Sequence, residues 1–474
     1  MRVLFTSAPE PGPVVESTGA WLPLALVHLA GASRAAGHDC SIVDALAKGL
    51  GFEELERIVR ETAPDVVCVS ASTPGFPAAL ELCRRVRAPG RTTVVGGIHA
   101  SFMYPEFLPG GGIDFAVVGE GEETLPELLR SLETGSDPAR IAGIAFALGG
   151  RVIRTAPRPR TGSLDPLPKA WDLLDGGPYR WPGRPGSILG AITSSRGCPR
   201  RCRSCSEAAL YDGSWRKRSV DSVAYELTTL RRDHGVEVVA FHDPAPAADG
   251  ARFAELTSRL AELDLGLELV IWSCVEEVLR DEAVLERWRQ AGVIHVGICR
   301  DPSEDRLVGD ARSRALADGH RAIRALRAAG ITSETSFWIG FPDETPGTVE
   351  ETLARALAWD PDLARFPVLT PLPYTPAWRT WGPHVVTRDY RHFNQVDPVV
   401  KPLAMELDEV ASMAERCRRS FGGARTGRSP QGGGARSAGP WVVHPVETTD
   451  TSGEPVLARD DLDRPPLFPH PPRP

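Results

Sequence analysis

The sequence predicts an α/β protein in which two parallel sheets follow one another along the chain. Short apolar runs alternate with helical patterns over residues 1–135 and again over residues 187–372, which is typical of strands buried on both faces of a parallel sheet. A Pro-rich connector separates the two stretches, and the chain becomes rich in Gly, Pro and Arg after residue 421. We therefore predict a first domain at 1–135, a linker with a hairpin at 136–186, a partial barrel at 187–372, an extension at 373–421 and a disordered low-complexity tail at 422–474.

The first domain is predicted from five apolar runs and the helical patterns between them. Five such units indicate a doubly wound, flavodoxin-like (Rossmann-type) sheet, in which ligands bind at the carboxyl ends of the strands. We predict strands at 3–6, 41–44, 66–70, 93–96 and 115–119, and helices at 24–36, 52–61, 77–86 and 123–131. Beyond this domain, residues 144–147 and 152–154 flank Gly149 and Gly150 and predict the hairpin.

Small and polar residues follow three of these strands. Gly lets a ligand approach the backbone closely, and hydroxyl and carboxylate groups offer hydrogen-bonding atoms. Each Gly could simply end a strand, but three such loops at one edge favour a site for a large flat ligand. The predicted contacts are Ser70, Ser72, Thr73, Gly96, Gly97, His99, Gly119, Glu120, Gly121 and Glu122. For His99, a loop position without ligand contact stays an open alternative.

Alternation resumes at residue 187 with six further strand–helix units. Six units indicate an open partial (β/α)6 barrel, whose site is expected at the carboxyl ends of the strands. We predict strands at 188–193, 238–242, 268–272, 295–298, 336–339 and 366–369, and helices at 220–232, 251–263, 282–291, 315–329 and 349–358.

Three cysteines follow the first barrel strand, at Cys198, Cys202 and Cys205, in the spacing CxxxCxxC. A [4Fe–4S] cluster is ordinarily held by four Cys thiolates, so three thiolates in one loop leave one iron open to another ligand. Zinc would need a fourth ligand, for which His242 and Cys274 lack the usual spacing, and a disulfide would leave one thiol over. The loop therefore predicts a [4Fe–4S] cluster with an open coordination position.

Composition restricts the class of protein. With 42% hydrophobic and 24% charged residues among 474, and a net charge of −8, the chain is typical of a globular protein and lacks the basic balance of a general nucleic-acid binder. No apolar run reaches the roughly 18 residues of a membrane span, and the N-terminus enters a strand rather than a signal peptide. Nine cysteines, an odd number, favour free thiols and a cytoplasmic location. Five of them are predicted to be buried: Cys40, Cys68, Cys83, Cys274 and Cys299.

A flavodoxin-like domain joined to a CxxxCxxC partial barrel resembles the cobalamin-binding branch of the radical S-adenosylmethionine (SAM) enzymes. Stretches at 22–31, 96–104, 118–124, 340–345 and 359–362 are most similar to the family of the anaerobic magnesium-protoporphyrin IX monomethyl ester oxidative cyclase. The resemblance covers about residues 1–424. It implies cobalamin on the first domain, a [4Fe–4S] cluster ligated by Cys198, Cys202 and Cys205, and SAM chelating the open iron.

The resemblance also implies a reaction and candidate residues for it. In the family, an electron from the cluster cleaves SAM, and the resulting 5′-deoxyadenosyl radical removes hydrogen from an unactivated carbon. The candidates for holding SAM are Asp243, Asp301, Glu334, Gly340 and Pro342, and His242 is a candidate acid or base. A solvated loop carboxylate remains the alternative for each acidic residue, and a structural histidine for His242.

Further residues keep two interpretations each. Arg218 could meet the carboxylate of SAM or belong to a basic surface cluster. Tyr374, Trp378 and Trp381 could face a flat substrate or pack in a core or interface.

The chain also departs from the family pattern. It has no DxHxxG motif for a histidine ligand to cobalt, Ser204 stands where many members carry an aromatic residue, and Asp301 stands where relatives place Glu.

The predicted function is a cobalamin-dependent radical SAM enzyme that modifies a carbon centre of a small molecule, by methyl transfer or by cyclase-like oxidation. Its expected partners are that substrate and a low-potential electron donor such as flavodoxin or ferredoxin, without nucleic acid or a membrane span. The alternatives are a non-catalytic cobalamin or iron–sulfur sensor and a radical SAM enzyme that has lost cobalamin.

Overall fold

The computed structural model describes residues 1–9, 22–174, 179–184, 186–299 and 309–425, and two parallel sheets contain most of its strands. The first sheet comprises β1 (Arg2–Ser7), β2 (Asp39–Val43), β3 (Val66–Ser70), β4 (Thr92–Gly96), β5 (Phe115–Val117), β6 (Ile144–Leu148) and β7 (Arg151–Arg154). Its order is β2-β1-β3-β4-β5-β6-β7. The first five strands run parallel in the order of flavodoxin-like folds, which confirms the predicted fold class.

The hairpin β6–β7 continues the first sheet, because β6 pairs antiparallel with β5 and β7 antiparallel with β6. The segment predicted as a linker thus supplies two strands to the sheet of the first domain. The helices of this domain are α1 (Leu24–Ala35), α2 (Ala45–Lys48), α3 (Phe52–Thr62), α4 (Phe76–Arg85), α5 (Ile98–Phe107) and α6 (Thr124–Thr134).

Two separate cores cover the two faces of the first sheet. Val67 and Val69 point into the core formed with α3, α4 and α5, whereas Val66 and Cys68 of the same strand point into the core formed with α1 and α6. Successive side chains on a strand face opposite ways, so a strand that is apolar at every position is stable only between two helical layers. Full burial of each valine stabilises the fold by about 1.5–3 kcal/mol.

The second sheet forms the partial barrel. Its strands are β8 (Leu189–Ile192), β11 (Val238–Phe241), β12 (Glu268–Ser273), β13 (Val293–Ile298), β14 (Thr332–Ser336) and β15 (Leu363–Arg365). All pairs are parallel, in the order β15-β14-β13-β12-β11-β8. Between β8 and β11, a two-stranded antiparallel ribbon is formed by β9 (Ser195–Gly197) and β10 (Trp215–Lys217). Six parallel strands confirm the predicted partial barrel.

Helices cover the outside of the barrel. They are α7 (Ser206–Tyr211), α8 (Val220–Asp233), α9 (Gly250–Leu263), α10 (Val275–Arg280), α11 (Leu285–Gln290), α12 (Gly309–Ala328) and α13 (Pro346–Trp359). Side chains at helix starts satisfy free backbone N–H groups: Asp249 accepts from Arg252 N–H at 3.1 Å and Thr345 accepts from Thr348 N–H at 3.2 Å.

The last two barrel strands begin earlier than predicted. The expected strands at 336–339 and 366–369 meet only at an isolated bridge between Ile339 and Val368, while β14 and β15 end at Ser336 and Arg365. The prediction was wrong because β14 is polar at all five positions, Thr-Ser-Glu-Thr-Ser. A strand whose inward side chains line a polar interior does not produce the apolar run by which strands are recognised.

The chain then forms an extension that packs against both domains. It contains α14 (Trp378–Trp381) and α15 (Leu407–Arg425), and Phe341, Val399 and Val400 form a small core there. Beyond residue 425, the predicted tail lies outside the described residues.

The nine cysteines form no disulfide. Cys40, Cys68, Cys83 and Cys274 are buried as predicted, but Cys299 is exposed, because it follows β13 directly and stands at the mouth of the barrel. Over the described parts of the chain, no helix combines the length and apolar character that crossing a membrane requires.

Candidate functional site

The cysteine loop begins where β9 ends. Gly197 has φ +83°, and a Cβ there would lie 2.1 Å from the carbonyl oxygen of Ser214, so the close pairing of β9 with β10 requires Gly. Cys198 is buried, Cys202 and Cys205 are partly exposed, and the N–H of Cys205 donates to the carbonyl of Cys202 at 3.2 Å. The three predicted ligands thus lie in one tight loop at the carboxyl end of the first barrel strand.

The donor set of this loop fits an iron–sulfur cluster better than a single metal ion. Within the described residues, no three Cys, His, Asp or Glu side chains converge on one point, as a tetrahedral zinc site would require. Thiolates of a cubane bind different irons and need no common centre. Burial raises the pKa of Cys198 and of Cys205, and binding of a metal requires that their thiols lose their protons.

Asp243 holds the segment that leads into the cysteine loop by hydrogen bonds. It is fully buried and accepts hydrogen bonds from Ser194 N–H at 2.7 Å, Ser194 Oγ at 2.6 Å and Ser195 Oγ at 2.7 Å. Arg252 donates to the carbonyl of Ser194 at 2.9 Å. The carboxyl group thus fixes the entry to β9, and its predicted contact with SAM stays a prediction.

Arg218 does not lie at the protein surface, and its suggested contact with the carboxylate of SAM stays a prediction. It is 4% exposed and forms an ion pair with the buried Glu226, while its Nη1 also donates to the carbonyl of Thr193 at 3.0 Å. The suggestion of a basic surface cluster is therefore wrong, because Arg218 is paired inside the protein beside the first barrel strand.

His242 lies at the end of β11, next to Asp243. Its N–H donates to the carbonyl of Ile192 at 2.8 Å, and burial lowers the pKa of its imidazole to about 4. The ring is neutral at pH 7, which makes it a weak base; its catalytic role stays a prediction.

The cobalamin edge, defined here by the loops after β3, β4 and β5, brings the predicted ligand contacts of the first domain together. Gly97 has φ +110°, and a Cβ there would lie 2.6 Å from the carbonyl oxygen of Ala71. The N–H of Gly119 donates to Ser101 Oγ at 3.0 Å, which links the loop after β5 to helix α5. Ser70 and Gly96 end adjacent strands, and Ser72 is exposed. The predicted ligand contacts thus lie at one edge of the sheet, and their contact with a corrin stays a prediction.

His99 is placed away from solvent at this edge. It is 1% exposed, lies between Phe76 and Tyr390 at ring-centroid distances of 4.4 Å and 4.6 Å, and its Nδ1 is 3.3 Å from Thr73 Oγ1. Burial lowers the pKa of His99 to about 3. The neutral ring packs under the loop, and contact with the corrin stays a prediction.

Glu120 and Glu122 form a largely buried ion-pair network with the barrel. Arg196, on β9, pairs with both carboxylates, and Arg216, on β10, pairs with Glu120. His28 Nδ1 lies 3.7 Å from Glu122. Burial opposes ionisation of Glu122, but His28 and Arg196 together lower its pKa. We call these residues the interdomain network; their predicted role at the cofactor stays open beside this structural one.

The extension bridges the cobalamin edge and the cysteine loop. Tyr374 Oη lies 2.9 Å from Thr73 Oγ1, and its ring stacks on Phe102 at 4.8 Å. The N–H of Ala377 donates to the carbonyl of Arg203 at 3.0 Å, between the second and third cysteines. Interface packing, one of the two interpretations kept for Tyr374, is thus observed.

Trp378 and Trp381 also pack within the extension. Arg388 lies over Trp378 at 4.8 Å, and Trp381 meets Phe341 edge-on at 5.6 Å. These contacts are those of a packed core rather than of an open aromatic wall.

The remaining candidates for SAM lie in different places. Glu334 points into the barrel, 2.9 Å from His295 Nε2. Gly340, with φ +90°, donates its N–H to Glu344, and Pro342 O accepts from Leu403 N–H at 2.9 Å. Asp301 lies outside the described residues. None of these placements tests the contact with SAM.

Sequence reasoning missed Arg196 as a functional residue. It stands two residues before Cys198, and basic character beside a cysteine motif was the only signal available. Its partners Glu120 and Glu122 are 76 and 74 residues away, so the pairing follows only from the fold.

Two family models match this chain, one for each of its domains. Residues 12–129 match the family model of the B12 binding domain, and residues 192–356 match that of the radical SAM superfamily. The anaerobic magnesium-protoporphyrin IX monomethyl ester cyclase of Rubrivivax gelatinosus is 32% identical over 432 residues, which are 89% of this chain and 77% of that protein. An uncharacterized methyltransferase of Pyrococcus horikoshii is 29% identical over 434 residues, 89% of this chain and 92% of its own.

Solved structures show the same architecture. The radical SAM methyltransferase TsrM of Kitasatospora setae, with tryptophan substrate and a SAM analogue bound, superposes with a TM-score of 0.63 at 22% identity, over 87% of this chain and 82% of that one. OxsB, with aqua-cobalamin and SAM bound, superposes with a TM-score of 0.65 at 15% identity, over 90% and 67%. From its two domains and its identity to the cyclases over most of its length, the chain belongs to the B12-binding radical SAM enzymes, in the family of the anaerobic magnesium-protoporphyrin IX monomethyl ester cyclase.

Proposed function

We propose that the protein transfers a methyl group to a carbon atom of a small molecule, using SAM cleaved at the cysteine loop and cobalamin held at the cobalamin edge. The observation that carries this proposal is the bridge between the two sites. Tyr374 contacts Thr73 at 2.9 Å, and three residues later Ala377 contacts Arg203 at 3.0 Å. A methyl carrier has to lie beside the carbon that is activated near the cluster, and such a bridge keeps the two together.

The chain's own residues would hold these groups. Cys198, Cys202 and Cys205 would ligate the cluster, and the loops at Thr73, Gly97 and Gly119–Glu122 would receive the corrin. When bound, the cluster supplies the electron that cleaves SAM and cobalamin supplies the methyl carrier. Asp243 and Arg252 fix the strand that carries the cysteines, and the interdomain network fixes the distance from that strand to the cobalamin edge.

The test is product analysis with oxygen-free protein that carries a reconstituted cluster and hydroxocobalamin. With SAM, a low-potential reductant and a panel of candidate substrates, we expect 5′-deoxyadenosine, S-adenosylhomocysteine and a product heavier by one CH₂ group. One SAM would give up its methyl group and become S-adenosylhomocysteine. A second SAM would take one electron and split into methionine and a 5′-deoxyadenosyl radical, which removes one hydrogen atom from the substrate. The reductant would supply a second electron for the transfer of the methyl group to the substrate radical. An intact cluster that never cleaves SAM would instead indicate a sensor, and turnover without cobalamin uptake would indicate loss of that cofactor.

Cyclase-like oxidation is the second candidate. It is favoured by the 32% identity to the cyclase of Rubrivivax gelatinosus. A product that gains oxygen and loses hydrogen, without S-adenosylhomocysteine, would select it over methyl transfer.

We expect Gly97→Val to abolish cobalamin uptake and leave the iron content unchanged. A Cβ would lie 2.6 Å from the carbonyl oxygen of Ala71, so the loop after β4 would be pushed away from the loop after β3. The measurement is the absorption spectrum after loading with hydroxocobalamin and gel filtration. Gly37→Val is the matched control, because Gly37 has φ +95° but no heavy atom within 4 Å of such a Cβ. Normal uptake by Gly97→Val would exclude this loop from the site.

The electron donor and the compartment belong to the same proposal. We expect a flavodoxin or ferredoxin to reduce the cluster, since iron–sulfur potentials extend to about −700 mV. Nine free cysteines fit a reducing compartment such as the cytoplasm.

A further inference from the structure

A charged triad lies inside the barrel, apart from the cysteine loop and the interdomain network. Glu334 is 4% exposed and lies between His295, whose Nε2 is 2.9 Å away, and Arg365, with which it forms an ion pair through Nε. Burial opposes ionisation of Glu334, but His295 and Arg365 lower the pKa of its carboxyl group to about 2. The triad therefore contains a fixed carboxylate and a fixed guanidinium at neutral pH.

The strands direct the triad into the interior of the barrel. Phe337 packs edge-on against Trp359 of α13 and Phe366 against Phe421 of α15. These two side chains thus face the outer helices, so by alternation Glu334 and Arg365 point the other way, into the barrel. Gly297 is the register partner of Glu334 on β13, and a Cβ there would lie 2.1 Å from the ring of Trp272. The interior at this level thus has an indole ring beside a charged pair.

Arg365 lies two residues nearer the carboxyl ends of the strands than Glu334. Its register partner is Ser336, whereas that of Glu334 is Leu363. The Arg365 side chain is 37% exposed although its partner is buried. Its Nε is taken by Glu334, and in the described part of the chain no group accepts a hydrogen bond from Nη1 or Nη2.

We propose that Arg365 is an anion-binding residue of the barrel interior and receives a carboxylate or phosphate group on Nη1 and Nη2. A guanidinium binds such groups by two parallel hydrogen bonds, and Glu334 holds Nε so that the opposite edge stays free. His295 and Glu334 are positioning residues. The inference deepens the proposed function: the anion belongs either to the SAM amino acid or to the substrate, which then is a small acid or phosphate ester with an apolar part suited to Trp272.

Binding measurements on the reconstituted full-length protein test the proposal without turnover. The first arm compares the affinity for SAM with that for decarboxylated SAM by equilibrium dialysis. The second arm records the fluorine NMR linewidth of para-fluorobenzoate on SAM-loaded protein, with inorganic phosphate as competitor and para-fluorobenzamide as the neutral probe. Each arm is run on the wild type, Arg365→Gln, Arg365→Lys and Arg321→Gln, the last being an exposed arginine paired with Glu282 at 2.5 Å on the outside of the barrel.

Arg365→Gln is expected to weaken binding of one anion by about 10- to 100-fold, the usual loss for charge-assisted hydrogen bonds. Arg365→Lys should retain part of the affinity, and Arg321→Gln all of it. A larger loss of affinity for SAM than for decarboxylated SAM would assign the anion to SAM, and loss of benzoate and phosphate binding alone would assign it to the substrate. Unchanged anion binding in both arms, with iron content and circular dichroism of the variant intact, overturns the proposal. Failure of the proposed function would instead leave these affinities intact and remove 5′-deoxyadenosine from the wild type.

Discussion

Replacing Cys202 with Ala is expected to remove the [4Fe–4S] cluster and with it all cleavage of SAM. The wild-type loop offers the cluster only three thiolate ligands, and the two that remain in the variant are too few to hold it. The thiols of Cys198 and Cys205 then return to the protonated state that their burial favours. The measurements are iron content after anaerobic reconstitution, absorption of the cluster, and 5′-deoxyadenosine formed per protein. We expect iron at the background level and no detectable product.

Cys299→Ala is the matched control for this variant. Cys299 is exposed, stands at the mouth of the barrel, and lies within electrostatic reach of Cys198 and Cys205. If three thiolates hold the cluster, Cys299→Ala keeps its iron. Loss of iron in Cys299→Ala as complete as in Cys202→Ala would contradict the three-thiolate assignment, because the open iron would then be capped by a fourth cysteine.

The second large effect is expected for Arg196→Met, which should lower the free energy of unfolding by about 3–5 kcal/mol, the usual cost of removing one partner from a buried ion pair. Arg196 and Glu122 are only 13% and 10% exposed, so water can compensate the lost guanidinium only in part. The measurement is the midpoint of urea unfolding. Arg34→Met is the control, because Arg34 forms a geometrically similar pair with Asp172 at 42% and 60% exposure, and exposed pairs contribute about 0–1 kcal/mol. Equal shifts in the two variants would contradict a stabilising role of the interdomain network.

The same variant should show a changed dependence on pH. The pKa of Glu122 is lowered in the folded state, so its pairing stabilises the protein above the ordinary carboxyl pKa of 4.5. This stabilisation is lost as the pH falls toward the lowered value. The difference in unfolding midpoint between the wild type and Arg196→Met is therefore expected to be largest near neutrality and to narrow below about pH 4.5. A difference that stays constant into acid would exclude the carboxylate as its source.

The first domain could be predicted from sequence because its strands are apolar on both faces. Val66, Val67, Cys68 and Val69 alternate between two cores and so leave a continuous apolar run in the sequence. The polar strand β14 could not be found in this way, since Glu334 faces an interior in which charge is paired with charge. The polarity that hid this strand comes from the same residue, Glu334, that pairs with Arg365 in the proposed anion site.

Some residues of the candidate site could be predicted from local sequence, and others could be identified only from the fold. Cys198, Cys202 and Cys205 are neighbours in sequence, and their spacing alone predicted a shared ligand. Glu120, by contrast, was predicted from its position after a strand, and its partner Arg196 could be identified only in the folded chain. Contacts between residues that are far apart in sequence decide whether a polar side chain is available to a cofactor, and no local pattern reports them.

The bridge formed by the extension has a consequence for how such a protein can change. Tyr374 and Ala377 belong to neither domain, yet they touch Thr73 of one and Arg203 of the other. If the first domain were replaced by that of a relative, its contacts with the extension and with β9 would no longer match. The position of the first domain relative to the cysteine loop would then change. Chimeras and natural recombinants of these enzymes should therefore succeed when all three parts are exchanged as a set.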